Sequence, residues 1–211
     1  MATILRTLSY RHQWLYNLIS RAAALSVGGE QQFRHLPLRG LMITQETTVL
    51  DLCCGSGQTT QLLCKYSHQV TGLDASPRSI EQATKQVPQA TFIEAWAEAM
   101  PFENNCFDLV HTSVAMHEMN HEQRQTIFQE VFRVLKPGGT LTLIDFHAPQ
   151  NPIYWPGLAL FLWLFETETS WQMLQTDLIA DLQKLAFVVE EPLLRAGGSL
   201  QVLHAVKPLN P

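Results

Sequence analysis

The chain has 211 residues, of which 46% are hydrophobic, and carries 14 basic against 19 acidic side chains, for a formal net charge of −5. This length and apolar content suit one domain with a sizeable core. Because the balance is acidic and no long basic run is present, we expect no nucleic-acid partner.

The N-terminal stretch MATILRTLSYRHQWLYNLIS is interrupted by Arg6, Arg11 and His12, so it lacks the continuous apolar centre of a secretory signal. We therefore expect a cytoplasmic protein. The four cysteines show neither a CxxC nor a Cys/His spacing, and the adjacent Cys53 and Cys54 are poorly placed for a disulfide. We expect buried, reduced thiols and no metal site.

The elements follow the order of a doubly wound α/β sheet. An amphipathic helical pattern over Thr7–Ala24 predicts a cap, and from Thr47 onward β-branched runs alternate with helical patterns. The predicted strands are Thr48–Leu52, Gln69–Leu73, Ala90–Glu94, Phe107–Ser113, Thr140–Phe146, Ala186–Glu190 and Gln201–Val206. The predicted helices are Gln58–Tyr66, Pro77–Gln86, His121–Leu135 and Asp177–Lys184. No helical pattern separates the last two strands, which predicts an antiparallel hairpin around RAGGS.

The stretch after the fifth predicted strand is unusually apolar. Ile153 to Phe165 form an uncharged run, too short for the roughly 20 apolar residues that a membrane span needs. A helix predicted over Leu158–Glu166 is apolar almost all round, so it must be buried, contact a partner or line an oily site. Packing against the N-terminal helix, a lid over an oily pocket, and a membrane-surface or dimer contact all remain open.

The segment VLDLCCGSGQTT, Val49 to Thr60, predicts a strand that runs into a glycine-bearing turn and then a helix. Gly55 and Gly57 let backbone N–H groups approach a ligand without a Cβ in the way. The turn follows the carboxyl end of the first strand, where doubly wound sheets bind ligands. The glycine pattern alone leaves open a dinucleotide, another cofactor or a tight turn without a ligand.

Asp74 ends the second predicted strand in VTGLDAS. Its carboxylate is placed to accept hydrogen bonds from two vicinal ribose hydroxyls. A helix N-cap is the alternative role, although Ser76 before Pro77 fits that position better. The second strand therefore favours a ligand that contains ribose.

Four motifs in this order resemble those of the class I S-adenosylmethionine-dependent methyltransferases. VLDLCCGSGQTT is similar to the first motif, GLDAS to the ribose-binding acid, EAMPFENNCFDLV to the segment before strand four, and VFRVLKPGGTLTLIDF to the helix, turn and fifth strand. Within this class, the segments YNLISRAAALSVGGEQQFR, IDFHAP and GGSLQVLHAVKP resemble the UbiE-type quinone C-methyltransferases.

The resemblance implies a seven-stranded, mostly parallel Rossmann-like sheet with an antiparallel last strand, an N-terminal helix and a lid insertion after strand five. It implies a single methyltransferase domain, 1–211, with a helical cap (1–45), a cofactor-binding core (46–148), a lid insertion (149–175) and a C-terminal helix and strand hairpin (176–211). S-adenosyl-L-methionine is the implied cofactor and S-adenosyl-L-homocysteine its product. The implied cofactor-binding residues are Asp51, Cys53, Gly55, Ser56, Gly57, Asp74, Ala75, Trp96, Ala97 and Ser113.

Two positions depart from the family pattern. Cys53 stands where the first glycine of the usual GxGxG lies, and we still expect the loop to bind. Trp96 replaces the acidic residue that commonly contacts the adenine amine, so adenine would rest against the indole face while the Ala97 backbone offers a hydrogen bond. Core packing is the alternative role for Trp96.

His117 and Glu118 occupy the positions of an Arg-Asn pair in UbiE-like enzymes, in a loop that the resemblance places opposite the methyl group. With an ordinary pKa of about 6.5, His117 suits general-base catalysis at neutral pH. An ordinary loop histidine is the alternative, and Glu118 would either orient it or cap the next helix. Asp145 and His147 alternate at the end of strand five, so a catalytic role or structural hydrogen bonding is open for both.

The resemblance implies methyl transfer to a small hydrophobic acceptor, such as a prenylated quinol or related lipid. A polar metabolite methylated on oxygen or nitrogen and a non-catalytic cofactor-binding domain are the alternatives. A nucleotide-dependent dehydrogenase is disfavoured because its glycine fingerprint would want another glycine at Thr60 or beyond. We expect no transmembrane segment and leave open a peripheral membrane contact and a monomer or homodimer.

Overall fold

The computed structural model of the chain describes residues 27–209. The helix predicted over Thr7–Ala24 lies outside these residues. Every helix within them falls short of the length and apolar character that a membrane crossing requires.

One mixed sheet organises the described residues. Its strands are β1 Thr48–Leu52, β2 Gln69–Asp74, β3 Thr91–Glu94, β4 Phe107–Ser113, β5 Leu135–Phe146, β6 Val188–Val189, β7 Leu193–Arg195 and β8 Leu200–Val206. They lie in the order β3-β2-β1-β4-β5-β8-β6, with β7 also paired to β8. The first five strands are parallel to one another, and β8 is antiparallel to β5. The predicted mostly parallel sheet with an antiparallel last strand is therefore confirmed.

The sheet has eight strands rather than the seven predicted, because the edge beside β8 is interrupted. β6 pairs with the end of β8 and β7 with its beginning, and Pro192 lies between the two short strands. Proline cannot donate to a strand ladder, so it splits what would otherwise be one edge strand.

Seven helices accompany the sheet in the described part of the chain. They are α1 Glu30–His35, α2 Gln58–Leu63, α3 Pro77–Gln86, α4 His121–Val134, α5 Trp155–Phe165, α6 Glu168–Met173 and α7 Leu178–Lys184. The predicted bounds of α3 are reproduced because Ser76 caps the helix, accepting from the Ser79 N–H, and Pro77 occupies its first turn. The sequence pattern did not predict α1 and α6, which are only six residues long.

Apolar side chains cover both faces of the sheet, as expected for a doubly wound fold. On one face Leu50 and Val110 pack in a cluster that includes Ile127 and Phe128 of α4. On the other face Val49 and Leu109 pack with Leu63 of α2. Because side chains alternate along a strand, Asp51 of β1 and His111 of β4 share this second face, and the two residues are partners in the register.

Helix α5 packs onto the far end of the second face. Leu162 is fully buried in a cluster with Ile144, Phe146 and Val202. The helix begins at Trp155, three residues earlier than predicted, because Pro156 fits the first turn of a helix. Helix α5 forms part of one wall of the candidate active-site cavity.

Candidate active site

A cavity of about 960 Å³ opens at the carboxyl ends of β1, β2, β4 and β5. One wall is the turn between β1 and α2, with Asp51, Cys53, Cys54, Gly55 and Ser56, together with Asp74, Ala75 and Ser76 after β2. A second wall is the turn between β4 and α4, with Ser113, Val114, Ala115, His117, Glu118 and Met119. The third wall comes from the segment that follows β5, with Ile153, Tyr154, Gly157, Leu158, Phe161, Phe165 and Glu166.

The turn after β1 takes an unusual backbone path. Cys53, Gly55 and Gly57 all have positive φ angles, of 57°, 54° and 81°. A Cβ on Gly57 would lie 3.1 Å from the Ala83 Cβ, so this glycine lets α2 pack closely on α3. A Cβ on Gly55 would meet nothing within 4 Å, which leaves the backbone there open to the cavity. At Cys53 the left-handed conformation costs a non-glycine residue about 1–2 kcal/mol.

Asp74 is held by the backbone on both sides. Its Oδ2 accepts from the Gly55 N–H at 2.8 Å, and its Oδ1 accepts from the Ser76 N–H at 2.9 Å. An ionised carboxylate has about four acceptor positions, so two remain for a ligand that presents a vicinal diol. Because Ser76 caps α3, Asp74 is not needed for the capping role.

Asp51 anchors the turn from inside the sheet. Its buried carboxylate accepts from the Thr60 hydroxyl at 2.6 Å and lies 2.8 Å from the His111 Nδ1. Burial and the neighbouring Asp74 and Asp51 carboxylates raise the pKa of the Cys53 thiol. Burial followed by the same two carboxylates also raises the pKa of Cys54. Both thiols therefore stay protonated at neutral pH and do not serve as nucleophiles.

Arg34 of α1 is a cavity residue that the sequence pattern did not predict. Its guanidinium donates to the Glu30 carboxylate at 2.6 Å, to the Thr59 hydroxyl at 3.2 Å and to the Gln58 side-chain oxygen. It is the one lysine or arginine among the described residues that line the cavity. A guanidinium beside the turn at Gly55 could hold a ligand carboxylate.

His117 and Asp145, two predicted catalytic residues, are brought together. The His117 Nδ1 lies 2.7 Å from the Asp145 Oδ1, and both side chains are buried. The Asp145 Oδ2 also accepts from the N–H groups of Met116 and His117, at 2.8 and 3.2 Å. The Phe146 ring lies 4.5 Å from the imidazole, centroid to centroid. Asp145 therefore fixes the orientation of the imidazole at the cavity wall.

A second carboxylate reaches His117 from the C-terminal end of α5. The Glu166 Oε2 lies 3.5 Å from the His117 Nε2, on the side opposite Asp145. Burial alone lowers the pKa of His117, but Asp145 and Glu166 together outweigh burial and raise the pKa to about 10. The ring is therefore an imidazolium at neutral pH, and the ordinary pKa on which the sequence-based expectation rested does not hold here.

Several predicted site residues lie away from the cavity. The His147 Nδ1 lies 2.8 Å from the Gly198 carbonyl oxygen, and β5 ends one residue earlier, at Phe146. Trp96 is 68% exposed on the turn after β3, and Ala97 is buried in the core. Gly57 contacts α3 instead of the cavity. Among the predicted cofactor residues, the cavity is lined by Asp51, Cys53, Gly55, Ser56, Asp74, Ala75 and Ser113.

The apolar side chains of α5 divide between the cavity and the exposed surface. Phe161 lines the cavity together with Leu158 and Phe165, whereas Trp155 and Trp163 are 38% and 66% exposed. The spacing i, i+3, i+7 places the three cavity residues on one face of α5. One face of α5 is thus an oily wall and another faces solvent.

Comparisons with known proteins bear on this site. A family model described as a methyltransferase domain matches residues 49–139. An uncharacterized methyltransferase of Synechocystis is 53% identical over 205 residues, 97% of each chain. The 2-phytyl-1,4-naphtoquinone methyltransferase of Nostoc punctiforme is 34% identical over 139 residues, covering 61% of this chain but only 59% of that protein. The solved structure of YcgJ from Bacillus subtilis matches with a TM-score of 0.65 at 18% identity, over 85% of this chain and 99% of that chain, and so shares the fold.

Proposed function

The chain belongs to the S-adenosylmethionine-dependent methyltransferase family, and we propose that it methylates a small hydrophobic acceptor, a prenylated quinol or related lipid. The observation that carries this proposal is the oily wall of the cavity, formed by Leu158, Phe161 and Phe165 opposite the turn after β1. The similarity to a phytylnaphthoquinone methyltransferase supports the same class of acceptor.

The donor set of the cavity fits the cofactor. Asp74 would accept hydrogen bonds from the ribose hydroxyls, and the backbone at Gly55 allows close approach. Arg34 would hold the carboxylate of the methionine moiety. Asp51 and Asp74 add negative charge on this side of the cavity, which suits a ligand that also carries an ammonium and a sulfonium. When bound, S-adenosylmethionine supplies an electrophilic methyl group.

The chain's own contribution is orientation and proton exchange. The aromatic lid residues and Phe146 hold the acceptor and exclude water, which aligns it with the cofactor side of the cavity. We assign His117, oriented by Asp145, as the group that exchanges a proton with the acceptor. Its raised pKa of about 10 is close to the ordinary pKa of a phenol, about 10, so the proton moves between them with little driving force. Turnover should accordingly rise from pH 7 toward pH 10.

The test combines labelled transfer with variants. Purified protein is incubated with methyl-labelled S-adenosylmethionine and with lipid or water-soluble extracts, and the label is expected in the lipid fraction. Asp74→Ala should weaken cofactor binding on the order of 10- to 100-fold by calorimetry, because hydrogen bonds to a charged group are lost. Glu81→Ala, which removes the same charge from the exposed face of α3, is the matched control and should bind normally.

His117→Ala should retain cofactor affinity and lower turnover on the order of 100-fold or more. Unchanged cofactor affinity in the Asp74 variant would overturn the site assignment. Label confined to the water-soluble fraction would overturn the proposal that the acceptor is hydrophobic.

A further inference from the structure

We propose that Glu166 determines acceptor specificity by accepting a hydrogen bond from an acceptor hydroxyl, so that a neutral hydroxylated ring is selected over an ether or a carboxylate. This inference rests on the proposed function, because it names the class of acceptor for the same cavity.

Glu166 lies at the C-terminal end of α5 and lines the cavity. It is the C-cap of α5: its own backbone is extended, but its N–H still donates to the Leu162 carbonyl at 2.9 Å, so the helical path of α5 runs up to it. Leu158, Phe161 and Phe165 line the cavity along that path, and Glu166 adds a carboxylate at the end. An amphiphilic acceptor lying along this wall therefore has its polar group at Glu166 and His117.

The contacts of Glu166 leave it able to bind a ligand. Its Oε2 lies 3.5 Å from the His117 Nε2 and 3.3 Å from the Ser170 hydroxyl, both longer than a usual hydrogen bond. Within residues 27–209 both polar contacts use Oε2, so Oε1 has no protein partner there. The side chain is 15% exposed and lines the cavity.

The surrounding groups determine which functional group of an acceptor binds best at Glu166. An ionised carboxylate only accepts hydrogen bonds, so a hydroxyl donor fits it, whereas an ether presents no donor. An acceptor carboxylate would face Glu166 with Asp145 and Glu118 nearby, and like charges repel. Although His117 is positive, it already lies between the Asp145 and Glu166 carboxylates. A hydroxyl bound to Glu166 also lies beside the His117 Nε2, where a proton is exchanged.

The experiment compares three probes that share a naphthalene ring and differ in one substituent, on the protein loaded with S-adenosylhomocysteine. Calorimetry at pH 7 gives the dissociation constants of 1-naphthol, 1-methoxynaphthalene and 1-naphthoate for wild type, Glu166→Gln and Glu168→Gln. Glu168 is two residues further along, exposed and outside the cavity lining, so its variant is the matched control. The cofactor-product affinity and thermal unfolding of each variant verify that it is folded.

We expect wild type and Glu168→Gln to prefer 1-naphthol over each of the other probes by on the order of 10-fold. Glu166→Gln should lose most of this preference, because a carboxamide both donates and accepts. A purely structural role of Glu166 would change the affinities for all three probes together and would leave their ratio within one variant unchanged. Equal ratios in wild type and Glu166→Gln, or no preference for 1-naphthol in wild type, would overturn the proposal.

The outcome of the probe-binding experiment does not test whether the protein transfers a methyl group to a lipid. Methyl transfer to a lipid would persist if the Glu166 preference were absent. A preserved preference without any methyl transfer would remove the proposed function alone.

Discussion

Replacing His117 with Asn should remove a pH dependence of stability that the wild-type protein carries. The folded-state pKa of His117 is raised to about 10 by Asp145 and Glu166 against the opposing effect of burial, whereas an unfolded histidine has a pKa of about 6.5. The stabilisation from the protonated ring is therefore fully present below pH 6.5 and is lost as the pH rises through 10. Between these values folding takes up a proton.

The magnitude follows from proton linkage. Uptake of one proton on folding lowers the free energy of unfolding by about 1.4 kcal/mol for each pH unit. From pH 7 to pH 9 the wild type should lose about 2–3 kcal/mol that His117→Asn does not lose. The Asn side-chain N–H can replace the imidazole Nδ1 as the donor to Asp145. The half-buried Cys53 and Cys54 thiols, whose pKa values are also raised, destabilise the fold with rising pH in both proteins, and their effect cancels in the difference.

The assay is urea unfolding at pH 7, 8 and 9, with the slope of unfolding free energy against pH as the readout. His121→Asn is the control, because the His121 side chain is 61% exposed and lies 3.8 Å from its nearest carboxylate, that of Asp181. Its slope should match that of the wild type. Equal slopes in wild type and His117→Asn would refute the claim that the two carboxylates hold a proton on this ring.

Two further substitutions test the cofactor side of the cavity. Arg34→Met should weaken binding of S-adenosylmethionine on the order of 10-fold by calorimetry, because a charge-assisted bond to the carboxylate is lost. Arg39→Met, on the exposed residue beyond α1, should not weaken it, and an equal loss in both variants would contradict the role of Arg34. Cys53→Gly should change the free energy of unfolding by less than about 1 kcal/mol, because relief of the positive φ offsets the greater freedom of glycine in the unfolded chain. A loss of more than about 2 kcal/mol in urea unfolding would show that the thiol packing matters more than the backbone strain.

Local signals account for what the sequence predicted well. Ser76 and Pro77 give α3 its start, and the β-branched and apolar run from Phe107 to Ser113 gives the bounds of β4. The order of alternating strands and helices was enough to predict the doubly wound sheet. The break between β6 and β7 could have been predicted only by treating Pro192 as a residue that interrupts the edge strand.

Contacts between distant segments account for what the sequence pattern did not predict. Arg34 donates to Gln58, 24 positions away in the sequence, and Ser170 of α6 donates to the carbonyl oxygen of His117, 53 positions away. No periodicity or spacing encodes such pairings, so neither Arg34 nor Glu166 was a candidate. Of the two residues at the end of β5, only Asp145 contacts His117, whereas the His147 Nδ1 lies beside the Gly198 carbonyl oxygen.

The most direct test of the central claim is a single-turnover assay with methyl-labelled S-adenosylmethionine and 2-phytyl-1,4-naphthohydroquinone, the reduced form of the quinone in the name of a relative. We predict that the quinol gains one methyl group by mass spectrometry and that an equal amount of S-adenosylhomocysteine is released. Normal cofactor binding without transfer to this or any other lipid acceptor would contradict the account.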